Sequence, residues 1–338
     1  MKTLFFGSSS YCLPLAVSLH KDTDLIGVVT SPDSTFGRNK AILPSPIKSY
    51  AKSNQISYFT PSNSEELSRL IPDFKKLEPH IGVVADYGLL IPQGVFNLPV
   101  FKTINVHFGK LPQYRGASPL QWSIANGEKI IPVTFMLMDE GLDTGEIITE
   151  INYETKGDET TGTLYSLLFE KAADSLKKVI EDFTKGKSKP HKQNTKNVRV
   201  TQRLTRSDGY IPWEIFTNTI NNNDNSTSPI INSLSPIARS AFSFSPFRSF
   251  ACSETCRRAL SLYNLYRALS PWPGLWTEVN INNSINTNKP IKKRLKILEI
   301  HLEPLTFNLV PDVVQLEGKK PVSWEQFKEA YLAFNKSL

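Results

Sequence analysis

Three side chains in this sequence have the types and spacing for acyl-type chemistry. Asn105 and His107 sit in Asn-Val-His, and Asp143 follows 36 residues later within Gly141-Leu-Asp-Thr-Gly145. The apolar run from Val100 to Val106 reads as a buried strand. Residues two apart on a strand point to the same face, so Asn105 and His107 converge on one point. Asp143, in a glycine-flanked turn after a second apolar strand, reaches that point to orient or charge the imidazole. An amide donor beside a His/Asp pair suits attack of an amine on a carbonyl-like carbon: the amide stabilises the oxyanion and the pair manages the protons. Each residue also has an ordinary role, His107 as a satisfied core side chain and Asp143 as a turn former before Thr-Gly. The surrounding sequence decides between these readings.

The elements that must hold these residues alternate in type. Strand patterns at Thr3–Phe6, Leu25–Thr30, Ile56–Phe59, Ile81–Ala85 and Ile131–Met138 are interleaved with helical patterns at Leu13–His20, Pro46–Lys52, Glu65–Lys76 and Leu120–Asn126. Ser45-Pro46 supplies an N-cap and a first helical position. The alternation predicts an α/β, Rossmann-like domain with a mostly parallel sheet and helices on both faces. Such sheets bind ligands at the carboxyl ends of their strands, where Asn105 and His107 fall. No Gly-x-Gly-x-x-Gly follows the first strand, which argues against a dinucleotide. Apolar residues at Leu164, Leu167, Leu168, Ala172, Leu176, Val179 and Ile180 predict an amphipathic helix from Thr161 to Phe183 that closes the domain.

After His107 the chain runs Phe-Gly-Lys-Leu111-Pro112-Gln-Tyr114-Arg115-Gly116-Ala117-Ser-Pro119, and later Leu142-Asp143-Thr144-Gly145. This order of Asn-x-His, Leu-Pro, Tyr-Arg-Gly-Ala-x-Pro and Leu-Asp-Thr-Gly resembles the folate-dependent formyltransferases, most closely those acting on methionyl-tRNA. The segment Arg267-Ala-Leu-Ser-Pro-Trp-Pro-Gly-Leu-Trp276 resembles their C-terminal domain as well, so the similarity spans nearly the whole chain. It implies a formyltransferase domain over 1–183, a basic linker over 184–206, and a small tRNA-binding β-barrel (OB-like) domain over 207–338. The formyl donor it implies is 10-formyltetrahydrofolate, and the acceptor is the α-amine of initiator methionyl-tRNA. No metal is implied, and the expected state is a monomer. Asn105, His107 and Asp143 take the catalytic roles. Gly109, Lys110, Leu111 and Pro112 align with a folate-contacting segment that is Ser-Leu-Leu-Pro in the family, so side-chain roles at the first two positions are lost. Tyr87 and Leu89 fall in Val84–Pro92, the apolar wall of the same pocket. Arg38 and Lys40 lie in a loop whose family pattern is Gly-Arg-Gly-Lys and which approaches the tRNA acceptor end; Asn39 departs from it. Formyl transfer to an amino-sugar nucleotide or to glycinamide ribonucleotide, and a non-catalytic RNA-binding relative, are the alternatives.

Composition agrees with an anionic partner. The 338 residues carry a net charge of +7, with 40% hydrophobic and 21% charged side chains. Eight Lys/Arg, including Lys189 and Arg203, fall between Phe183 and Arg206 with no acidic residue among them, and a second cluster runs from Lys289 to Lys296. Such tracts favour RNA over a small acidic substrate. Three cysteines make no disulfide framework, and Cys252 and Cys256 lack the partners of a zinc site. The apolar start stops at Gly7, too short for a signal peptide, and no run approaches membrane-spanning length, so a cytosolic protein is expected. The stretch between Trp213 and the Pro-Trp-Pro at 271–273 is longer than its family counterpart and rich in Asn, Ser and Thr. It reads as a disordered insertion over about 217–257, and deleting 218–256 is expected to leave formylation largely intact.

Overall fold

A computed structural model describes residues 1–36, 41–223, 233–243, 253–281 and 291–332. They form two compact units: 1–119, 130–154 and 164–201 in the first, 120–129, 155–163 and 202–338 in the second. In the first unit the strands, numbered along the chain, are β1 (Lys2–Phe6), β2 (Asp24–Val29), the antiparallel pair β3 (Ser34–Phe36) and β4 (Ala41–Leu43), β5 (Tyr58–Phe59), β6 (Ile81–Val84) and β7 (Thr103–Phe108). They continue with the two-residue β8 (Arg115–Gly116), then β9 (Ile130–Leu137), β10 (Ile147–Glu154) and β11 (Val200–Thr201).

Seven of these make one sheet in the order β10-β9-β7-β6-β1-β2-β5, parallel from β5 to β7 and antiparallel at β9 and β10. The parallel strands are nearly continuous apolar runs because both their faces are covered. Residues paired across strands share a face, so the pairing Phe6–Val84–Asn105 places Asn105 on the Leu4/Phe6/Val84 side. Helical Leu67, Phe74, Val95 and Phe96 complete the core there. The opposite face of β7 turns Phe108 against Phe169 and Tyr165 of the Thr161–Thr184 helix, with ring centroids 4.3 and 5.8 Å apart. The expected mostly parallel α/β sheet is therefore observed. Ser45 caps the Pro46–Ser53 helix by accepting from the Lys48 N–H.

Several details differ from the sequence reading. β10 was not anticipated: after Ile148 half-buried and exposed residues alternate, the pattern of a half-covered antiparallel strand, and its charged positions masked it. The Glu65–Lys76 helix divides at Leu70, ahead of Pro72, into Ser64–Arg69 and Ile71–Leu77. The domain boundary expected at 183 falls instead after Thr201, because residues 191–201 pair with the first unit. His191 exchanges backbone hydrogen bonds with Ile147, and β11 runs parallel to β8. Within 184–206 most residues are exposed, and the stretch is tied to the first unit at His191 and at Val200–Thr201.

The second unit contains an antiparallel sheet of β12 (Leu275–Ile281), β13 (Ile291–Leu302), β14 (Leu309–Leu316) and β15 (Val322–Ser323). This four-stranded sheet stands where a small barrel was expected. Helices at Trp213–Ile220, Pro236–Ser243 and Glu254–Leu269 accompany it. The disorder expected over 217–257 does not hold for the described residues in that range. Leu234, Ile237, Ala238 and Ala241 are buried, an apolar stripe at helical spacing that the polar composition concealed. Ser240 donates to Asn126 at 2.7 Å, which ties that helix to the rest of its own unit. Ile237→Ala should lower unfolding stability by about 2–4 kcal/mol, the usual cost of truncating a filled core site. Leu305→Ala, at a 95% exposed position, should change it by less than about 0.5 kcal/mol in the same denaturant titration.

Candidate active site

Asn105 and His107 lie near the carboxyl end of β7, paired with Met136 and Thr134 of β9. Asp143 approaches from the turn between β9 and β10. Its carboxylate accepts from Asn105 Nδ2 at 3.2 Å through Oδ1 and from the Gly116 N–H at 2.8 Å through Oδ2. Its Oδ2 is also 3.7 Å from His107 Nδ1, beyond a direct hydrogen bond. The three candidates do converge, but Asp143 does not grip the ring. His107 is held by its other nitrogen: Nε2 donates to the Tyr114 carbonyl at 2.7 Å. A carbonyl only accepts, so the neutral ring carries its proton on Nε2 and turns the Nδ1 lone pair toward Asp143.

Burial drives the His107 pKa below its ordinary 6.5; the Asp143 charge and the Tyr114 carbonyl oppose this and lose. The site near neutral pH is thus a neutral imidazole, an amide and one carboxylate. Its backbone is specialised to match. Asp143 sits at φ 51°, in the left-handed region. A Cβ at Gly145 would overlap the Leu137 carbonyl oxygen, so only glycine lets this turn close against β9.

The expected donor-binding residues are partly gathered around this point. A Cβ on Gly109 would press on Pro119 Cβ at 2.9 Å and approach His107 Nε2 at 3.5 Å, so the absent side chain there is a packing requirement. Leu111 is buried with Met136 and Ile147, Pro112 is partly buried, and Lys110 is exposed. Tyr87 and the partly buried Leu89 belong to the core on the Asn105 face, and the buried Tyr87 hydroxyl has no hydrogen-bond partner among the described residues. An unsatisfied hydroxyl there suits a polar ligand group. Lys189 is exposed in the first unit and Arg203 in the second. Arg38 and Lys40 lie outside the described residues. Among the described residues no three acidic, His or Cys side chains form a metal-binding group.

Sequence reasoning missed the groups that hold the site. Two are backbone atoms, the Tyr114 carbonyl and the Gly116 N–H, which no residue type announces. Gln193, in a stretch read only for its charge, donates to the Asp143 carbonyl at 2.9 Å.

The formyl transferase family profile matches residues 1–180, more than half of the chain. The chain belongs to the formyl transferase family. Among its relatives are two methionyl-tRNA formyltransferases. That of Caldanaerobacter subterraneus subsp. tengcongensis is 30% identical over 82% of this chain and 76% of its own length. That of Clostridium novyi is 28% identical over 97% and 96%. In fold, the chain is similar to methionyl-tRNA formyltransferase from Clostridium thermocellum, with a TM-score of 0.51 at 16% identity, covering 94% of this chain and 98% of that one. It is also similar to HypX from Aquifex aeolicus in complex with tetrahydrofolic acid (TM-score 0.55, 13% identity, 98% of this chain and 48% of that one). The protein is an enzyme of formyl transfer. Among the described residues no helix is long and apolar enough to cross a membrane.

The buried His107 has a pH signature. Its folded pKa lies below the unfolded value, so its contribution to stability is present in full above about pH 6.5 and is lost as the pH falls toward the folded pKa. The stability gap between wild type and His107→Gln should therefore shrink between pH 7.5 and pH 5.5 in paired thermal melts. A constant gap would contradict a ring buried neutral.

Proposed function

We propose that this formyltransferase moves the formyl group of 10-formyltetrahydrofolate to the α-amine of initiator methionyl-tRNA. The observation that carries the chemistry is the contact of the Asn105 amide with the Asp143 carboxylate beside the buried Nδ1 of His107. The methionyl-tRNA formyltransferase relatives aligned along nearly the whole chain support the acceptor over a sugar nucleotide or glycinamide ribonucleotide.

The amine nitrogen attacks the formyl carbon, and the carbonyl electron pair moves onto oxygen. Asn105 spends one amide hydrogen on Asp143 and offers the second to that oxyanion. The proton shed by the amine goes to His107 Nδ1, the ring position left unprotonated by the Tyr114 contact. The resulting imidazolium is stabilised by Asp143 Oδ2, within 4 Å. The same proton then passes to the donor's N10 as the bond from the formyl carbon to N10 breaks, leaving N-formylmethionyl-tRNA and tetrahydrofolate. The donor lies against Gly109–Pro112, Tyr87 and Leu89. No metal enters these steps.

RNA binding is supported by charge and shape in the second unit. A cleft of about 350 Å³ is lined by Arg206, Arg294 and Lys296 together with Trp272 and Trp276. Trp272 is 54% exposed, and the Arg294 guanidinium lies 4.4 Å over the Trp276 ring. Cations beside exposed aromatic faces suit phosphates and unpaired bases. Lys189 and Arg203 are exposed, and Arg38 and Lys40 keep the tRNA-contacting role that the family resemblance implies.

With one oxyanion donor worth about 10²–10³ in rate, Asn105→Ala and His107→Ala should each lose about that much kcat with little change in fold. Activity within tenfold of wild type in both would refute the assignment. Arg294→Ala/Lys296→Ala should raise KM for methionyl-tRNA severalfold, leave KM for the folate unchanged, and flatten the salt dependence of tRNA binding. An unchanged salt slope would remove the cleft from the tRNA path.

A further inference from the structure

Gln193 has every hydrogen-bonding position of its amide occupied. Its Nε2 donates to the Asp143 carbonyl at 2.9 Å and to the Gly145 carbonyl at 2.8 Å. Its Oε1 accepts from Arg115 Nε at 3.0 Å and from Arg115 Nη2 at 2.8 Å. The carbonyls can only accept and the guanidinium can only donate, so the amide has a single chemically allowed orientation. The same amide nitrogen lies 4.0 Å from Met136 Sδ, on the residue paired with Asn105.

The groups it joins are those that fix the reacting carboxylate. Asp143 is a non-glycine residue at φ 51°, a left-handed conformation that L side chains adopt only where the surroundings hold it. Gln193 binds the carbonyl of that residue and of Gly145, bracketing the strained step. Arg115 immediately precedes Gly116, whose N–H holds Asp143 Oδ2. The Arg115–Gly116 backbone is clamped by the same crossing segment. Arg115 N donates to the Arg199 carbonyl, Thr201 Oγ1 donates to the Arg115 carbonyl at 2.9 Å, and the Ser118 N–H donates to Thr201 Oγ1 at 3.1 Å. Residues 191–201 thus brace both sides of the Asp143 carboxylate: its own turn through Gln193, and its N–H donor through β11.

We infer that Gln193 is a positioning residue for formyl transfer, holding Asp143 in its left-handed turn and locking Arg115–Gly116 against it. Its role is to keep the Asp143 carboxylate in register with Asn105 and His107 while it touches neither substrate. The inference rests on the catalytic role proposed for Asp143, and it adds a brace that no motif of the family resemblance contains.

Gln193→Glu tests it with almost no change in shape. A glutamate still accepts from Arg115 but loses both donors and turns an oxygen toward two carbonyls. Gln193→Met, of similar length and without polar atoms, is the second variant, and Asn194→Ala on the same segment is the control. A misplacement of the reacting groups by a fraction of an ångström is worth about 10- to 100-fold in rate. The expected result is a kcat reduced by that factor in both Gln193 variants, with KM for folate and tRNA within about twofold of wild type. The pH-rate profile should shift its limb as the Asp143–His107 spacing changes, and Asn194→Ala should match wild type. A kcat within threefold of wild type in both Gln193 variants would overturn the inference. So would a loss that tracks the unfolded fraction at every pH, or melting of both variants below the assay temperature, since each makes the residue purely structural. Wild-type turnover measured in the same assay separates these outcomes from failure of the proposed function: an inactive wild type refutes that function, whereas an active wild type with unaffected variants refutes only the brace.

Discussion

The arrangement depends on one buried-edge carboxylate. Asp143 is only 14% exposed at its side chain, and its oxygens are held by a backbone N–H and a side-chain amide rather than by a cation. Charge-assisted hydrogen bonds of this kind are stronger than neutral ones and fix direction as well as distance. Three separate stretches of chain must arrive correctly for it to exist: the end of β7, the Arg115–Gly116 step and the β9–β10 turn. The seven-stranded sheet sets the first and third by placing β9 beside β7. The crossing segment 191–201 sets the second.

The same carboxylate explains why a neutral histidine is useful. With Nε2 committed to Tyr114, the Nδ1 lone pair faces an anion across a gap too long for a hydrogen bond. Two acceptors face each other and are best reconciled by a proton between them. An attacking amine that loses a proton supplies it, and the ion pair so formed exists only as the reaction proceeds. An interaction stronger in the transition state than in the resting enzyme lowers the barrier. Burial lowers the histidine pKa and keeps the resting ring neutral; the carboxylate limits that depression, so the ring can still accept the proton.

Much of this was legible in the sequence, for identifiable reasons. Period-two geometry put Asn105 and His107 on one face, and alternation of strand and helix put that face at the carboxyl end of a mostly parallel sheet. The glycine-flanked turn around Asp143 was legible too, though the close approach of Gly145 to the Leu137 carbonyl was not. What escaped detection was carried by backbone atoms or by residues whose role is defined from afar. The Tyr114 carbonyl and Gly116 N–H have no signature in residue type. Gln193 acts across 50 residues on Asp143 and was hidden among lysines. The Pro236–Ser243 helix was obscured by the Asn/Ser/Thr-rich stretch that precedes it, while its own three buried apolar residues, Ile237, Ala238 and Ala241, were too few to register. Residue types brought Asp143 to the imidazole but could not give the 3.7 Å separation at which it stands.

The most direct test of the account is product analysis with purified protein and 10-formyltetrahydrofolate labelled at the formyl carbon. Methionyl-tRNA, free methionine, an amino-sugar nucleotide and glycinamide ribonucleotide are offered as separate acceptors. Label is expected in N-formylmethionine released from the tRNA by mild base, with the other acceptors unlabelled. Label appearing in a small-molecule acceptor with none on methionyl-tRNA would contradict it.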